Sequence, residues 1–319
     1  MSEILRVENL TKIFEKKSIF SSKKTIVKAT DDVTFALNHG EILAIAGESG
    51  SGKSTLAKLI LKAIEPDSGK VFFENEEISN NSSLKKIRMQ CQMVYQDPYE
   101  SINPRMKIEQ IVGEPLEIHG ITHDERKNLI INALKQVKLE PAEEIAQKNP
   151  HMLSGGQRQR IVIARALVLK PKIIIADEPV SMLDVSIRAE ILELIKEIQQ
   201  RNNISIIYIT HDLATAKHFA DRVMVLYLGK IMEEGPIDQV ILTPKHPYTQ
   251  ALIDAISEPD PENLYKEKKV RINDPIDVDV YSGCRFYSRC PYSDEKCKKE
   301  PPLENINNKR NVACFFPLD

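Results

Sequence analysis

The sequence predicts an α/β protein built on a mostly parallel β-sheet with helices on both faces. Two observations lead to this prediction. An apolar run at 42–46 is followed by a glycine-rich segment and then by a helical pattern. Further along, the apolar runs 172–176 and 204–209 alternate with the helical patterns 158–169 and 185–201. Continuous apolar runs are typical of parallel strands buried on both faces, and strands that alternate with helices predict such a sheet.

Composition narrows the class of protein. The chain has 319 residues, 42% hydrophobic and 28% charged, which is ordinary for a globular protein. Its net charge of −2 gives no sign of a nucleic-acid-binding surface. No apolar run approaches the length of a membrane span, and the first residues lack the apolar segment of a signal peptide, so we expect a cytosolic protein.

The N-terminal part predicts short strands before the glycine-rich segment. Alternating apolar positions indicate a strand at 3–14, and a second strand is predicted at 33–37. The polar, basic stretch 15–28 between them is interpreted as a surface loop. After the first helix, strands are predicted at 70–73 and 89–95.

The interval 97–152 has a different texture. Prolines separate helical patterns such as 126–138, and no strand pattern occurs. We interpret this interval as a helical insertion in the α/β domain. The sheet resumes at 172–176, and two short strands near 223–228 and 230–234 end it.

The segment 47–54 has the pattern of a phosphate-binding loop. Its glycines let the backbone turn tightly enough for successive N–H groups to converge on an anion at the positive end of the next helix. Lys53 then reaches the terminal phosphates, and the Ser54 hydroxyl can ligate Mg²⁺. The alternative is a plain glycine-rich turn, against which the full pattern between a strand and a helix argues. The predicted nucleotide-binding residues are Gly47, Glu48, Ser49, Gly50, Ser51, Gly52, Lys53, Ser54 and Thr55.

Two acids follow the buried run 172–176, where a parallel sheet presents ligands. Asp177 can hold the Mg²⁺ that Ser54 also contacts. Glu178 can orient or deprotonate the water that attacks the terminal phosphate. The alternative for an isolated Asp-Glu pair is a solvated turn, which a chain that also carries a phosphate loop makes the weaker interpretation.

Three further side chains are candidates on weaker sequence evidence. His211 follows the run 204–209 and could hydrogen-bond the transferring phosphoryl group, although a lone histidine is more often structural. Gln96 follows the run 89–95 and can offer a neutral oxygen to the metal or the water. Phe14, at the end of the first predicted strand, could stack on a purine ring or be a plain strand-end aromatic.

Four motifs stand in the order and spacing of an ABC-type ATPase, which the chain resembles from residue 3 to about residue 235. They are GESGSGKST at 47–55, LSGGQRQRI at 153–161, IIIADEP at 173–179 and SMLD at 181–184. The resemblance is specific because LSGGQ is rare outside that family. It implies ATP as the nucleotide, Phe14 at the adenine-stacking position, and catalytic roles for Glu178, His211 and Gln96.

The resemblance also implies that two ATPase domains close head to tail over two ATP molecules. The signature of one subunit then contacts the ATP of the other. The residues assigned to the partner's ATP are Ser154, Gly155, Gly156, Gln157 and Asp184. The implied domains are a nucleotide-binding core at 1–96 and 153–235, and a helical subdomain at 97–152 that contacts membrane subunits.

A narrower resemblance is to the ATPase subunits of oligopeptide, dipeptide and nickel importers, most closely the second of the paired subunits. It rests on YQDPYESINPR at 95–105, TPKHPYTQAL at 243–252 and the cysteine-bearing tail. It implies ATP hydrolysis that powers peptide import at the cytoplasmic face of the cell membrane. Nickel or another small solute remains an alternative cargo.

The implied partners are a second ATPase subunit, in a heterodimer or a homodimer, and two membrane permeases. A solute-binding protein outside the cell would act indirectly, and no nucleic acid is expected. A soluble ABC ATPase acting on nucleic acid or ribosomes is the competing function, but such proteins usually carry two cassettes or a long coiled-coil insertion. The third possible function is a regulatory module that binds ATP without hydrolysing it. The presence of Glu178 argues against this function.

The C-terminal extension, 236–319, is predicted to be small, irregular and cysteine-containing. Its cysteines are Cys284, Cys290, Cys297 and Cys314. In a reducing compartment they indicate a metal site, and the lack of a C-x-x-C pair argues against the commonest zinc ribbons. The related importers imply a [4Fe–4S] cluster on these four thiolates, with Zn²⁺ or unligated or disulfide-paired thiols as alternatives.

Overall fold

The computed structural model describes residues 2–17, 24–255, 281–306 and 309–319. The charged stretch 257–270, which its composition predicts to be a linker, lies outside these residues. The strands are β1 (Glu3–Lys17), β2 (Lys24–Asn38), β3 (Ile42–Ala46), β4 (Ser68–Phe73), β5 (Glu76–Glu77), β6 (Cys91–Val94), β7 (Ile173–Asp177), β8 (Ser205–Thr210), β9 (Arg222–Tyr227), β10 (Lys230–Pro236), β11 (Glu304–Asn305) and β12 (Asn311–Val312).

The helices begin after β3, and five of them, α3 to α7, follow one another between β6 and β7. They are α1 (Lys53–Ile60), α2 (Asn81–Gln90), α3 (Pro98–Ser101), α4 (Ile108–Ile118), α5 (His123–Gln136), α6 (Ala142–Ala146), α7 (Gly155–Leu167), α8 (Val185–Asn202), α9 (Leu213–Lys217), α10 (Ile237–Leu242) and α11 (Pro247–Asp254). No helix in the described ranges combines the length and the hydropathy that a bilayer crossing requires.

The chain divides into two compact units. The first comprises residues 1–4, 37–41 and 73–208, and the second comprises 5–36, 42–72 and 209–319. In the first unit, β6 and β7 are parallel, with Cys91 aligned to Ile173. All five residues of β7 are buried, which explains why this part of the sequence is a continuous apolar run.

The helices of the first unit bury apolar faces against one another. Helices α4 and α5 pack on α7, and α6 packs on α5. Ile111, Val112 and Leu116 of α4 are each at most 2% exposed. The interval 97–152 contains no strand in the structure, as the sequence predicted.

In the second unit, β3 is parallel to β9, and β9 pairs antiparallel with β10. The C-terminal extension continues this sheet, because β12 pairs antiparallel with β10 and with β11. Arg310, 2% exposed, forms an ion pair with the fully buried Glu233 of β10 and donates a hydrogen bond to the Thr243 carbonyl. The extension is otherwise largely irregular and belongs to the same unit as the phosphate loop.

The predicted surface loop at 15–28 is wrong at both ends. Strand β1 continues to Lys17 and β2 begins at Lys24, so only 18–23, outside the described residues, separate them. The two strands are neighbours in a sheet of order β2-β1-β4 within the second unit. A strand at the edge of a sheet bonds through its backbone whatever its side chains, so polar residues there do not exclude strand structure.

The strand predicted at 89–95 is shorter, because 89–90 belong to α2. This helix begins with a capping box in which Asn80 Oδ1 accepts from the Ser83 backbone N–H at 2.9 Å. The helical pattern preceding β6 was missed because α2 is polar on most of its surface and buries only Ser83 and Ile87.

Candidate active site

Residues 47–52 form a tight loop between β3 and α1, and Lys53 and Ser54 are the first residues of the helix, in the predicted order of strand, glycine loop and helix. Lys53 is 5% exposed, and its ammonium group donates to the carbonyl oxygens of Gly47 at 2.7 Å and Glu48 at 2.9 Å. The lysine therefore lies across the loop at the N-terminus of α1. This arrangement brings positive charge and the first N–H groups of α1 to one place, which suits an anion.

Glycine is required in this loop for two structural reasons. Gly52 has φ +105°, a left-handed conformation that side chains rarely adopt. A Cβ there would also lie 1.9 Å from the Ala29 carbonyl oxygen, and one at Gly47 would lie 2.2 Å from the Leu226 carbonyl oxygen. The neighbouring strands therefore press directly on the loop backbone.

Two residues that the sequence analysis missed hold Glu48 of this loop. The Arg289 guanidinium bonds both carboxylate oxygens of Glu48, at 2.8 and 3.0 Å. The Tyr248 hydroxyl accepts from the Glu48 backbone N–H at 2.9 Å. Both partners lie at least 200 positions away in sequence, so no local pattern could have shown them; the only signal was an arginine directly before Cys290.

The predicted water-activating residues come together in the first unit. Gln96 Nε2 donates to Glu178 Oε2 at 3.2 Å. Asp177, 8% exposed, is the last residue of β7, and Glu178 follows with φ 47°. A non-glycine residue in the left-handed region carries strain, and such strain is concentrated at functional sites.

The predicted signature forms the start of α7. Ser154 is the N-cap, and its hydroxyl accepts from the Gln157 backbone N–H at 3.3 Å. The Gln157 side chain accepts in turn from the Ser154 backbone N–H at 3.0 Å. A Cβ at Gly156 would lie 2.9 Å from Ile187, a flexible side chain of α8. Asp184 is the N-cap residue of α8.

The remaining predicted residues lie at the edges of the second unit. His211 is exposed and directly follows β8. Phe14 is 40% exposed, with the Lys12 ammonium 5.8 Å from its ring centre. An exposed ring beside a cation is compatible with purine stacking. The predicted site residues therefore belong to two groups, with the phosphate loop, Phe14 and His211 in the second unit.

The four C-terminal cysteines line one cavity of about 10 Å³, which has room for roughly one water molecule. All are free thiols. Burial raises the pKa of Cys284 to about 12 and that of Cys290 to about 11, and the neighbouring cysteines add to both shifts. Burial also raises the pKa of Cys314. Cys91, the fifth cysteine, is a buried residue of β6.

His246 lines the same cavity and is 1% exposed. Its Nδ1 accepts from the Tyr248 backbone N–H at 3.0 Å, and burial lowers its pKa to about 3, against a smaller opposing effect of the Ala313 backbone. Among the described residues, no group of three or more His, Cys, Asp or Glu side chains is arranged to hold a metal ion.

Comparison with known proteins identifies two matching family models. Residues 30–181 match the model described as ABC transporter, and residues 232–297 match the C-terminal region of oligopeptide/dipeptide transporters. A probable peptide ABC transporter ATP-binding protein of Sinorhizobium fredii is 44% identical over 98% of this chain and 89% of its own. The oligopeptide transport ATP-binding protein of Haemophilus influenzae is 43% identical over 96% of this chain and 94% of its own.

Solved structures share the fold. The cbiO1 protein of Clostridium perfringens, part of an ABC transporter complex, superposes with a TM-score of 0.65 and 31% identity over 76% of this chain and 92% of that one. The ATP-binding cassette MJ0796, solved as a dimer with ADP and phosphate, gives a TM-score of 0.63 and 31% identity over 73% of this chain and 98% of that one. The predicted α/β ATPase fold is confirmed.

Proposed function

This chain belongs to the ATP-binding proteins of ABC transporters, and on that premise we propose that it hydrolyses ATP to power peptide import. The observation that carries the proposal is the phosphate loop, in which Lys53 bonds the Gly47 and Glu48 carbonyls at the start of α1. The importer class is supported by the match of residues 232–297 to the peptide-transporter C-terminal region.

The phosphate loop binds the ATP phosphates in this mechanism. Its N–H groups and those at the start of α1 donate hydrogen bonds to the phosphate oxygens. Lys53 neutralises the charge at the terminal phosphates. The Phe14 ring stacks on the adenine. Ser54, whose side chain is exposed at the loop, contributes a hydroxyl oxygen of the kind that Mg²⁺ prefers.

Asp177, Glu178 and Gln96 act on the metal and the attacking water. The Asp177 carboxylate and the Gln96 amide oxygen are hard ligands suited to Mg²⁺, which neutralises phosphate charge when bound. Glu178 accepts a proton from the water and orients it, while Gln96, bonded to Glu178 at 3.2 Å, fixes the carboxylate. His211 hydrogen-bonds the transferring phosphoryl group.

A second ATPase subunit completes each site. The N-terminus of α7, with Ser154, Gly155, Gly156 and Gln157, covers the γ-phosphate of the ATP bound to the partner. The Ser154–Gln157 capping box fixes the start of this helix, where the helix dipole favours an anion. Asp184 lies beside the partner's nucleotide. Closure of the pair precedes hydrolysis, so ATP binding can drive a motion.

Two permeases dock on the helical interval 97–152 at the cytoplasmic face of the membrane. Support comes from a cavity of about 700 Å³ formed by α4, α5 and α6. Ile118, 73% exposed, lies on its wall beside charged side chains such as Glu117 and Arg126. An open apolar surface with a polar rim is suited to a partner protein. The solute-binding protein acts through the permeases.

The four cysteines hold a [4Fe–4S] cluster in this proposal, with Zn²⁺ as the alternative. Four thiols line one cavity and are the donor atoms that either group would use, although in this structure they are not arranged around a metal ion. The cavity must widen to admit a cluster. The cluster would brace the loops of the extension.

Anaerobic purification tests the cysteine assignment. We expect a brown protein with about four iron and four sulfide per chain, lost when Cys290 and Cys297 are replaced by serine. A colourless protein with one zinc per chain would establish the alternative.

Reconstituted transport tests the function. The chain is assembled in vesicles with its permeases and a second ATPase subunit, and uptake of labelled dipeptide, tetrapeptide and Ni²⁺ is measured with ATP. We expect peptide uptake that Lys53→Ala abolishes. ATP-dependent uptake of Ni²⁺ alone would assign the chain to a nickel importer, and ATPase activity that no permease stimulates would contradict the transport role.

A further inference from the structure

The segment between the first two C-terminal cysteines, here called the Cys284–Cys290 segment, contacts the phosphate loop. Arg289 donates to both carboxylate oxygens of Glu48, at 2.8 and 3.0 Å, and to the Tyr227 hydroxyl at 3.0 Å. This two-pronged geometry matches a planar guanidinium to a carboxylate. All three residues lie in the second unit, so the contact is internal to one compact body.

Glu48 is fixed on its backbone as well as its side chain. Its N–H donates to Tyr248, and its carbonyl accepts from the Lys53 ammonium at 2.9 Å and from the Ser51 N–H at 3.2 Å. Arg289 therefore bonds the side chain of Glu48, the residue whose carbonyl accepts a hydrogen bond from Lys53. Any displacement of Glu48 changes the position of the lysine that receives the phosphates.

A packed aromatic cluster supports this contact. Phe286, fully buried, lies edge-on to Tyr227 with 5.5 Å between ring centres, and 5.4 Å from Tyr248. Tyr227 and Tyr248 are 4.5 Å apart. The two tyrosines that hydrogen-bond Arg289 and Glu48 are thus fixed by a side chain of the Cys284–Cys290 segment.

A second arginine of the segment contacts β2, the strand beside the loop. Arg285, 3% exposed, forms an ion pair with Asp31. Asp31 is two residues after Ala29 in β2. The Ala29 carbonyl oxygen lies against Gly52, and a Cβ added to Gly52 would be 1.9 Å from it. The segment therefore bonds both to the loop itself and to the strand that confines it.

We propose that Arg289 is a positioning residue for ATP binding, and that the C-terminal extension sets the nucleotide affinity of this subunit through it. The inference rests on the ATP site proposed above. Two physical effects act in the same direction. A loop with three glycines loses much conformational freedom when it binds a phosphate, and the Arg289 contact orders part of it beforehand. Glu48 also places a negative charge in an anion site, which Arg289 neutralises.

The test compares Arg289→Gln, Glu48→Gln and the double variant in the purified full chain. ATP affinity is measured by titration calorimetry, and KM and kcat are measured in the assembled transporter. Arg289→Gln should raise the Kd and KM for ATP by roughly three- to tenfold with kcat nearly unchanged, because a half-exposed charged pair is lost and Glu48 is left without its countercharge. Lys298→Gln, which removes an exposed ion pair with Glu295 in the same extension, is the matched control and should leave all three values unchanged.

The double variant separates positioning from general stability. Glu48→Gln removes the unneutralised charge, so the double variant should bind ATP more tightly than Arg289→Gln alone. A purely structural role for Arg289 predicts no such rescue and a melting temperature that falls with affinity. Wild-type affinity in Arg289→Gln, or a loss that Glu48→Gln does not relieve, would overturn the inference.

Failure of the positioning role of Arg289 can be distinguished from failure of the proposed ATP site. Lys53→Ala is included in the same titrations and should abolish ATP binding. If Lys53→Ala loses binding while Arg289→Gln retains wild-type affinity, the ATP site stands and the positioning role is rejected.

Discussion

Glu178 combines three features that suit a residue acting on water. It follows the buried strand β7, it accepts a hydrogen bond from Gln96, and its backbone has φ 47°. The left-handed conformation costs about 1 kcal/mol for a residue with a Cβ. Its carbonyl also accepts from the Ser181 hydroxyl at 3.0 Å, which helps to hold the turn. The surrounding turn therefore fixes the carboxylate before the nucleotide arrives.

Replacing Glu178 with Gln should lower kcat at least about 100-fold, because an amide cannot take the proton of the attacking water. The Kd for ATP should stay within about twofold of wild type. The substitution should also trap an ATP-bound dimer, seen by size-exclusion chromatography. Glu197→Gln, at an exposed ion pair with Lys138, is the control and should be fully active. Hydrolysis at the normal rate in Glu178→Gln would contradict the assigned role.

Replacing Gly52 with Ala should destabilise the protein by more than about 3 kcal/mol, because the methyl group would overlap the Ala29 carbonyl and the backbone would be strained. Gly120→Ala is the matched control. Gly120 has φ +75° but nothing within 4 Å of its added Cβ, so only the strain of about 1 kcal/mol remains. Denaturant unfolding of both variants measures the difference, and equal losses would show that the close approach at Gly52 is not costly.

At the scale of elements, sequence patterns predicted most accurately the strands that are buried on both faces. β7 and β8 are wholly buried, so their apolar runs directly report their environment. β1 and β2 extend through polar residues that the same reasoning assigned to a loop. The side-chain pattern of these two strands does not indicate that their backbones pair. The same limit applies to Glu48 and Arg289, which are 241 positions apart and meet only through the fold.

Replacing Ser154 with Ala should reduce the ATPase rate of the assembled dimer several-fold while leaving ATP binding to the single subunit unchanged. Loss of the N-cap costs about 1 kcal/mol at the start of α7, the helix end assigned to the partner's ATP. Asn80→Ala removes the equivalent cap of α2 and should cost similar stability without loss of activity. Equal losses of ATPase in the two variants would show that capping matters only for folding.

At the scale of the whole molecule, the predicted site residues are distributed over two units. The phosphate loop belongs to the second unit, whereas Gln96, Asp177, Glu178 and the start of α7 belong to the first. The family order of motifs supplied the candidate residues, because each motif is a short local pattern, and their roles stay predictions. No single motif shows how one ATPase subunit pairs with another. That pairing is part of the head-to-tail mechanism that we propose.

The specific ATPase activity of the isolated chain should rise with protein concentration, because each phosphate loop needs a signature from another molecule. Activity per chain is measured over a hundredfold dilution at saturating Mg-ATP, with and without the second ATPase subunit. Addition of that subunit should restore activity at low concentration. Activity that is independent of dilution would show that a single chain is sufficient for hydrolysis.

The contacts of Arg285 and Arg289 bear on how this protein can be recombined with its relatives. Each arginine lies in the extension, and each carboxylate partner lies in the cassette. A chimera that joins this core to a foreign extension loses the Arg289 contact of Glu48 unless that arginine is transferred with it. Asp31 loses Arg285 in the same chimera but keeps its ion pair with Lys28. A fragment ending at residue 235 has the same defect. The nucleotide-binding core and the C-terminal extension are therefore matched to each other. Exchange between transporters should succeed only when the crossover point keeps the two together.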